Sequence, residues 1–448
     1  MGLEARIALP GGQSSDPLSC SGMFSPHPVR CAERQLARDR AATLAFPSLW
    51  PRKLLRMTAS PLGYLRGAAA LFYELLTDHP ELAEGPEGEG WLVGDAHLEN
   101  FGAFRSEDGR GTERVVFDVN DFDEAIVGPF RWDVVRLLTS VILGGREIGS
   151  DGKQSVLLCS AILEGYAPAL CQGSTANDAP AAVRRLLEKV ERRTHKDLLD
   201  HRTERTAAGR RFVRGERYQD LAPELVGKAH AAFARYVERL DPGHAQARDH
   251  FVVEDVAFRV AGTGSLGVLR IAVLTRGKGE PDSRWIFDMK AQGVPAAQTL
   301  IRATSERAEP TAEHAEPTAE RAEPAAERAE PPESPAERVL RATRACLVRP
   351  PRMLGSTQLD DFSLFVRRLL PQEDKLDLTR LRPEELPELA RYLGALLGSV
   401  HRRGALRPPP ALWSAAEQAR LTEHAIVIAG LHEAAYLALC KAASRASP

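Results

Sequence analysis

The chain has 448 residues and 43% hydrophobic content, enough for two or three domains with real hydrophobic cores. Its formal net charge of −2 lacks the basic excess of a typical nucleic-acid-binding protein, and its six cysteines show no CxxC spacing that would indicate a zinc knuckle or disulfide framework. No stretch resembles a signal peptide or is long and apolar enough to span a bilayer, so we expect a cytoplasmic protein with no nucleic-acid or membrane partner.

In chain order, the sequence first predicts an irregular segment over residues 1–45, which is rich in Gly, Pro, Ser and Arg. A mainly helical region is predicted over 46–245, beginning with a helix at GYLRGAAALFYELLTDHP. Two short apolar runs, WLV and RVVF, then indicate strands that lead into acidic loops. A helix at WDVVRLLTSVILGGREIG follows, and 155–240 is mostly helical by periodicity.

From residue 251 the pattern changes to alternating apolar and polar residues around glycine turns, which predicts a β-rich region over 246–370. Low-complexity repeats such as RAEPTAE, seven residues long, interrupt it over 305–336. Each repeat offers only Ala as an apolar residue and contains Pro, which excludes a coiled coil and indicates an extended, solvated linker. A short helix, a strand and an amphipathic helix are predicted after it, with C-terminal helices over 371–448.

The glycine-rich stretch VAGTGSLGVLRIAVL contains Gly262, Gly264 and Gly267 in GxGxxG spacing. A dinucleotide-binding fold requires a helix after the last glycine, whereas here a β-type run follows. Strand, glycine turn and strand is the arrangement of the loop that covers the phosphates in kinases, with an ordinary glycine-rich hairpin as the alternative. Lys290 ends the next predicted strand, where a kinase holds the α and β phosphates. Unless Lys290 is a solvent-exposed edge residue, the two features favour a nucleotide site.

The segment GDAHLENFG follows a predicted strand and carries Asp95 and Asn100 in D-x-x-x-x-N spacing. Phosphoryl transfer needs a carboxylate that orients the acceptor hydroxyl and takes its proton, with an amide oxygen nearby as a magnesium ligand. We interpret His97 as a loop-ordering residue and Glu99 as a surface acid.

A second metal ligand is expected where the following strand ends, in VVFDVNDFDEA. That stretch offers Asp118, Asp121 and Asp123. Asp118 directly follows the apolar run, whereas Asp121 has the spacing to Asp133 expected of phosphotransferases, which slightly favours Asp121. A calcium-type or purely structural acidic loop is the alternative.

The segments GDAHLENFG, FDVNDFDEAIVGPFRWDVVRL and SPLGYLRG resemble the bacterial domain-of-unknown-function 2252 family, from about Arg52 to His401. The first also resembles the GDxHxxN signature of aminoglycoside phosphotransferases and other kinase-like enzymes. The resemblance implies an α+β, two-lobed protein-kinase-like fold that binds ATP and Mg²⁺. It implies these roles: Asp95 as catalytic base, Asn100 with Asp118 or Asp121 as metal ligands, Asp133 as anchor of its helix, and Gly262, Gly264, Gly267 and Lys290 as the nucleotide side.

The order of these parts differs from a kinase, because the glycine loop follows the catalytic loop along the chain. A circular permutation would account for this order. The family has Glu directly after the strand lysine, where this chain has Ala291. Arg341 stands where relatives tend to have an acid on the helix after the linker, and Glu337 could substitute for it.

Three functions are consistent with these residues. The leading hypothesis is an ATP- and magnesium-dependent phosphotransferase whose partners are a nucleotide and an unknown small-molecule or protein hydroxyl. A nucleotide-binding pseudokinase that serves as an interaction module is favoured by Arg341. A metal-dependent hydrolase built on the Asp and His cluster is the third, and the glycine loop does not support it.

Overall fold

A computed structural model describes residues 27–107, 113–174, 178–207, 209–240, 248–277, 283–308 and 333–446. It is 55% helical and 19% strand, so the predicted α+β composition is confirmed.

Fourteen α-helices are described, besides short 3₁₀ turns: α1 Pro28–Ala42, α2 Leu49–Thr58, α3 Pro61–Gly67, α4 Ala69–Asp78, α5 Pro80–Ala83, α6 Phe130–Gly145, α7 Gly152–Gln172, α8 Ala181–Glu191, α9 His195–Arg202, α10 Pro223–Glu238, α11 Gln298–Ala308, α12 Pro335–Cys346, α13 Leu386–Arg403 and α14 Ala415–Ala446. The strands in the same part of the chain are β1 Glu89–Leu92, β2 Phe101–Glu107, β3 Glu113–Val119, β4 Ile126–Pro129, β5 Thr203–Thr206, β6 Gly209–Phe212, β7 Tyr218–Gln219, β8 Val253–Arg259, β9 Arg270–Thr275, β10 Trp285–Gln292, β11 Gly355–Leu359, β12 Phe362–Leu369, β13 Asp374–Lys375 and β14 Ala405–Arg407.

The largest sheet has six strands in the order β11-β12-β10-β9-β8-β7, and all of its neighbouring strands are antiparallel. One face is apolar and packs against α10, with Phe233 of α10 against Phe287 of β10. Because side chains alternate across a strand, Asp288 and Lys290 of β10 lie on the opposite face. That face lines the cavities described below.

The main hydrophobic core joins helices from both ends of the chain, since it includes residues from Cys31 to Val190 and from Leu386 to Leu439. Helices α7 and α13 approach closely because glycines face the partner backbone. A Cβ atom on Gly394 would lie 2.0 Å from the Ile162 carbonyl oxygen, and one on Gly165 would lie 2.0 Å from that of Arg391. The C-terminal helices are thereby held against the elements that carry the candidate site.

The N-terminal segment differs from the prediction, because Pro28–Ala42 is a helix and not an irregular stretch. Its local sequence combines Pro in the first turn with good helix formers, and the helix buries one face that includes Cys31 and Ala32. The glycine, proline and serine content that suggested irregular structure is concentrated before residue 27, outside the described residues.

Two further differences concern helix continuity. The single helix predicted over GYLRGAAALFYELLTDHP is two helices, since α3 ends at Gly67 and α4 begins at Ala69. The β5–β6 hairpin interrupts the predicted helical stretch 155–240 because its strands pair with each other, Thr203 opposite Phe212.

The predicted repeat linker 305–336 is helical at both edges, because α11 runs to Ala308 and α12 begins at Pro335. Ser334 and Glu337 form a capping box that fixes the start of α12. The remaining repeats, 309–332, lie outside the described residues.

Helices α7 and α14 are long and apolar enough to cross a membrane by length and composition alone. The prediction that no stretch meets that criterion was therefore wrong. Helix α7 packs against α13 with 61% of its apolar window buried, whereas α14 packs against α6 with 33% of its window buried. Core helices of soluble proteins pass the same test of length and composition. The described residues give no clear membrane-protein signature.

Candidate functional site

The loop that carries Asp95 begins where β1 ends and is anchored by the fully buried Asp133 of α6. The Asp133 carboxylate accepts hydrogen bonds from the backbone amides of Val93, at 2.6 Å, and Gly94, at 3.0 Å. It also lies 3.0 Å from Nε2 of His401 on α13. Gly94 has a φ of +82°, and a Cβ atom there would lie 1.9 Å from the Glu124 carbonyl oxygen, so this turn requires glycine. Asp133 thus fixes the loop that precedes Asp95.

The Asp95 carboxylate is held by Arg136, one helical turn after Asp133 on α6. Nε and Nη2 of Arg136 both donate to Oδ1, with the Nε contact at 2.7 Å. Arg136 is completely buried, and the Asp95 side chain retains 23% of its exposure. Burial raises the pKa of Asp95, and the charge of Arg136 opposes that shift. One oxygen is therefore fixed, while the carboxylate remains partly open to the cavity.

His97 is neutral, because burial and the nearby cations Arg66 and Lys375 hold its pKa well below the ordinary value. Its Nδ1 accepts a hydrogen bond from the Glu99 amide, which leaves the ring proton on Nε2, 3.6 Å from Oδ2 of Asp95. Glu99 forms an ion pair at 2.7 Å with Arg66 and is more than a surface acid. This geometry supports a loop-ordering role for His97.

Asn100 links the two acidic stretches of the site. Its Nδ2 donates to the backbone carbonyls of Asp95 and Asp121, both at 3.1 Å. Two carbonyl acceptors require the amide nitrogen at that position, so the side-chain oxygen points the other way. Asn100 and Asp121 both line one cavity of about 630 Å³ together with Asp95.

Asp118 lies elsewhere. It belongs to β3, opposite Gly102 of β2, and its carboxylate is 3.7 Å from Arg403. Burial raises its pKa to about 6, and Arg403 limits the increase. Asp118 lines neither of the two cavities that contain Asp121. The structure therefore brings Asp121, and not Asp118, together with Asp95 and Asn100.

The glycine loop connects the adjacent strands β8 and β9, so the predicted order of strand, glycine turn and strand is present. It rests on the N-terminal helices: Lys53 of α2 donates to the carbonyl of Gly264 at 3.0 Å and Arg56 to that of Gly262. Lys53 also forms a buried ion pair with Asp39 of α1, at 2.9 Å. A Cβ atom on Gly267, whose φ is +98°, would lie 2.4 Å from the Ala42 carbonyl oxygen. The glycines thus allow close contacts between this loop and the N-terminal helices.

Lys290 lies on β10 and forms an ion pair with Asp123, which also accepts a hydrogen bond from Gln292 at 2.8 Å. Burial lowers the pKa of Lys290, while Asp121 and Asp95 oppose that shift. Glu337 forms the capping box of α12 with Ser334, and among the described residues the ion-pair partner of Lys290 is Asp123, so the suggested substitution of Glu337 for the missing acid is not supported.

Helix α12 makes other contacts in place of the acidic residue that relatives tend to carry on it. Arg341 pairs with Glu333 and lies over the Trp91 ring, whereas Arg338 of α12 donates to the carbonyls of Asp123 and Ala125. In this structure α12 therefore supports the acidic loop through an arginine.

The 630 Å³ cavity gathers most of the predicted site. Its walls include Asp95, Asn100, Asp121, Gly262, Gly264, Gly267 and Lys290. Among the described residues, no group of three or more His, Cys, Asp or Glu side chains is arranged to hold a metal by itself. A metal here would depend on ligand oxygens as well.

Sequence reasoning missed Arg136 and Lys53 as parts of the site, and it offered Asp123 only as a candidate metal ligand and not as the partner of Lys290. Arg136 could have been found from its position one turn after Asp133, on the same face of the helix. Lys53 lies 211 positions from Gly264, and no local pattern announces that contact.

Comparison with known proteins identifies the family and nothing beyond it. No curated protein and no solved structure matches the chain significantly. The family model described as "uncharacterized protein conserved in bacteria (DUF2252)" matches residues 45–322 and 316–442, which together span most of the chain and include every predicted site residue from Asp95 to Lys290. The chain belongs to this DUF2252 family.

Proposed function

We propose that this protein is a kinase-like phosphotransferase that moves the γ-phosphoryl group of ATP to a hydroxyl group of a small molecule or protein. The observation that carries the proposal is the convergence of Asp95, Asn100 and Asp121 with the glycine loop and Lys290 in one cavity. Lys290 touches Asp123 across 167 positions of the chain, so folding, not sequence proximity, assembles the set.

The order of parts in the six-stranded sheet supports this proposal. Kinases have a glycine loop between two strands, a phosphate-binding lysine on the third strand and a helix after it. Here β8, the glycine loop, β9 and β10 with Lys290 follow one another, and α11 and α12 come next. The Asp95 loop precedes all of these, and α13 returns to contact Asp133 through His401. A circular permutation of a kinase-like chain accounts for that order.

The proposed step needs one proton acceptor. The acceptor hydroxyl oxygen forms a bond to the γ-phosphorus while the bond from that phosphorus to the β,γ-bridging oxygen breaks, and ADP leaves. Asp95 takes the hydroxyl proton, for which the raised pKa of its carboxyl group is favourable. Arg136 keeps that carboxylate in place.

The residues present also fit a magnesium ion. The side-chain oxygen of Asn100 and the carboxylate of Asp121 would hold it, because Mg²⁺ is usually bound by one or two protein ligands together with phosphates and water. Bound there, the ion would neutralise phosphate charge. Asp118 would not contribute, since its carboxylate faces Arg403.

A nucleotide-binding pseudokinase is the second candidate, and one observation favours it. The lysine that would hold the phosphates is paired with Asp123, and α12 supplies no acid to it among the described contacts. Nucleotide binding would then have to displace the Lys290–Asp123 pair.

Incubation of the full-length protein with ATP and MgCl₂ separates the two candidates. Release of ADP or autophosphorylation, lost in Asp95→Asn, supports the phosphotransferase. ATP binding without turnover supports the pseudokinase, and absence of ATP binding would refute both.

A further inference from the structure

The face of the six-stranded sheet that lines the cavities carries a buried cluster of charges. Arg259, Arg270 and Arg367 come from β8, β9 and β12 and surround Asp288 of β10. Nε of Arg270 donates to Asp288 at 2.8 Å, Nη1 of Arg259 lies 2.7 Å from the same carboxylate, and Nε of Arg367 lies 3.8 Å from it. We call these four residues the arginine cluster. Four strands thus direct charged groups to one point.

The arginine cluster has more positive than negative charge. Three guanidinium groups face one carboxylate, which leaves two positive charges. Glu373 lies 3.5 Å from Arg367 and reduces the excess to one if it is counted. The side chains of Asp288, Arg270 and Arg259 are 1%, 9% and 12% exposed, so water does little to compensate. Buried charge is costly unless it is paired, and this site therefore favours an anion.

Arg259 shows directly that the cluster has too few hydrogen-bond acceptors for its donors among the described residues. Its Nε and Nη1 atoms are buried and have no hydrogen-bond partner among the described residues, since the approach of Nη1 to Asp288 lacks hydrogen-bond geometry. Burial lowers the pKa of Arg259 although Asp288 opposes the shift. Burial alone would raise the pKa of Asp288, but Arg259 and Arg270 hold it well below its ordinary range. The carboxylate is fully neutralised, whereas Arg259 is not.

The cluster lines a cavity of about 340 Å³ next to the candidate active site. Asp121, Asp123, Gly262, Lys290 and Lys375 belong to the walls of both cavities. Asp288 and Lys290 lie on the same face of β10, two residues and therefore about 7 Å apart along the strand. The cluster therefore lies directly beside the candidate active site.

We propose that Arg259, Arg270 and Arg367 bind a phosphate group of the ligand that occupies the candidate active site. A phosphate monoester carries about −1.5 to −2 charges at pH 7, enough to offset the one or two excess positive charges of the cluster. Guanidinium groups suit phosphate oxygens because their donors form a planar fork. This phosphate group belongs either to the polyphosphate of the nucleotide or to the acceptor molecule. The assignment to a substrate rests on the proposed function, whereas phosphate binding itself does not.

The test is titration calorimetry of the full-length protein with inorganic phosphate, inorganic tripolyphosphate and ATP. Arg259→Met keeps the length of the side chain and removes its charge, and Arg367→Met does the same at a side chain that is 28% exposed and less important for folding. Arg391→Met, at an exposed arginine of α13, is the matched control. We expect both cluster variants to weaken tripolyphosphate binding by at least about tenfold, the effect of losing one charge-assisted hydrogen bond, and the control to leave it unchanged.

The ATP titrations identify the source. If the nucleotide supplies the phosphate, ATP affinity falls together with tripolyphosphate affinity. If the acceptor supplies it, inorganic phosphate still binds at saturating ATP, and the variants weaken only that second binding event. The proposal is overturned if the wild type binds none of the three probes, or if folded Arg259→Met and Arg367→Met, with melting temperatures near that of the wild type, bind all three as tightly as the wild type does.

Lys290→Ala separates this proposal from the proposed function. Loss of ATP binding in Lys290→Ala with no effect of the cluster variants would preserve the nucleotide site and remove the phosphate role of the cluster. Conversely, tripolyphosphate binding that depends on Arg259 in a protein with no ATP turnover would preserve the cluster and count against the phosphotransferase.

Discussion

Replacing Asp133 is expected to destabilise the fold and displace the loop that carries Asp95. In Asp133→Ala, the amides of Val93 and Gly94 lose their acceptor and His401 loses its carboxylate partner, all at a position with no exposure. Hydrogen bonds to a charged group contribute about 1.5–3 kcal/mol each, and removing one partner of a buried polar network costs about 3–5 kcal/mol. We therefore expect the free energy of unfolding to fall by about 3–5 kcal/mol. Asp133→Asn keeps one oxygen acceptor, and roughly half that loss is expected.

Urea unfolding at pH 7 measures this loss, and Asp361→Ala at an exposed aspartate is the matched control. Because the amides of Val93 and Gly94 directly precede Asp95, turnover of ATP should fall further in folded Asp133→Asn than the affinity for ATP. A loss below about 1 kcal/mol in Asp133→Ala would refute the reasoning, because it would mean that the loop does not depend on this carboxylate.

Three other predictions concern the anchor of the glycine loop, Asp118 and the repeat segment. Lys53→Met should lower the free energy of unfolding by about 3–5 kcal/mol, because Asp39 stays buried without its ion-pair partner. It should also weaken ATP binding, because the glycine loop loses the contact of Lys53 with Gly264. Unchanged ATP affinity in the folded variant would show that the loop is held by other contacts. Asp118→Asn should be more stable than the wild type at pH 7 by up to about 3 kcal/mol. The folded-state pKa of Asp118 is about 6, above its ordinary 3.8, so the wild type loses stability as the pH rises from 3.8 to 6. Equal pH dependence of urea unfolding in the two proteins would contradict this. Replacing 309–332 with a Gly/Ser linker of eight residues should leave the melting temperature nearly unchanged, because loop length alters closure entropy only by about 0.6 kcal/mol per doubling, and a drop of many degrees would mean that the repeats pack.

Central strands of the six-stranded sheet could be predicted from local sequence. The β-type run after Gly267 identified β9, and alternation up to Lys290 identified β10, because strand periodicity is a local property. The helix Leu386–Arg403 was equally visible from its amphipathic pattern.

The choice between Asp118 and Asp121 could not be made with certainty from sequence. Asp118 lies within β3, so the side of the sheet on which its side chain lies depends on the register with β2. Asp121 instead lies beyond the end of that strand at Val119. Spacing to Asp133 favoured Asp121, but the side of the sheet on which each carboxylate lies is a tertiary property.

The long-range contacts that hold the site together could not be predicted from the sequence either. Arg136 reaches Asp95 across 41 positions and Lys53 reaches Gly264 across 211, so neither contact leaves a periodic trace. The Lys290–Asp123 pair replaced an expected contact with the helix after the linker, because α12 presents Arg338 and not an acid to the acidic loop.

The role of Asp95 is the central claim, and a comparison of ATP binding with ATP turnover in Asp95→Asn tests it most directly. Asparagine keeps an oxygen for Arg136 but cannot take a proton, and Asp118→Asn makes the same change at a carboxylate that does not line the cavity. We predict that Asp95→Asn binds ATP in the presence of magnesium as tightly as the wild type does and that turnover falls by about 10²–10⁴-fold, the contribution of general-base catalysis, while the control retains turnover. Full turnover in Asp95→Asn, or loss of magnesium-dependent ATP binding without a loss specific to turnover, would contradict the assignment of Asp95 as the base.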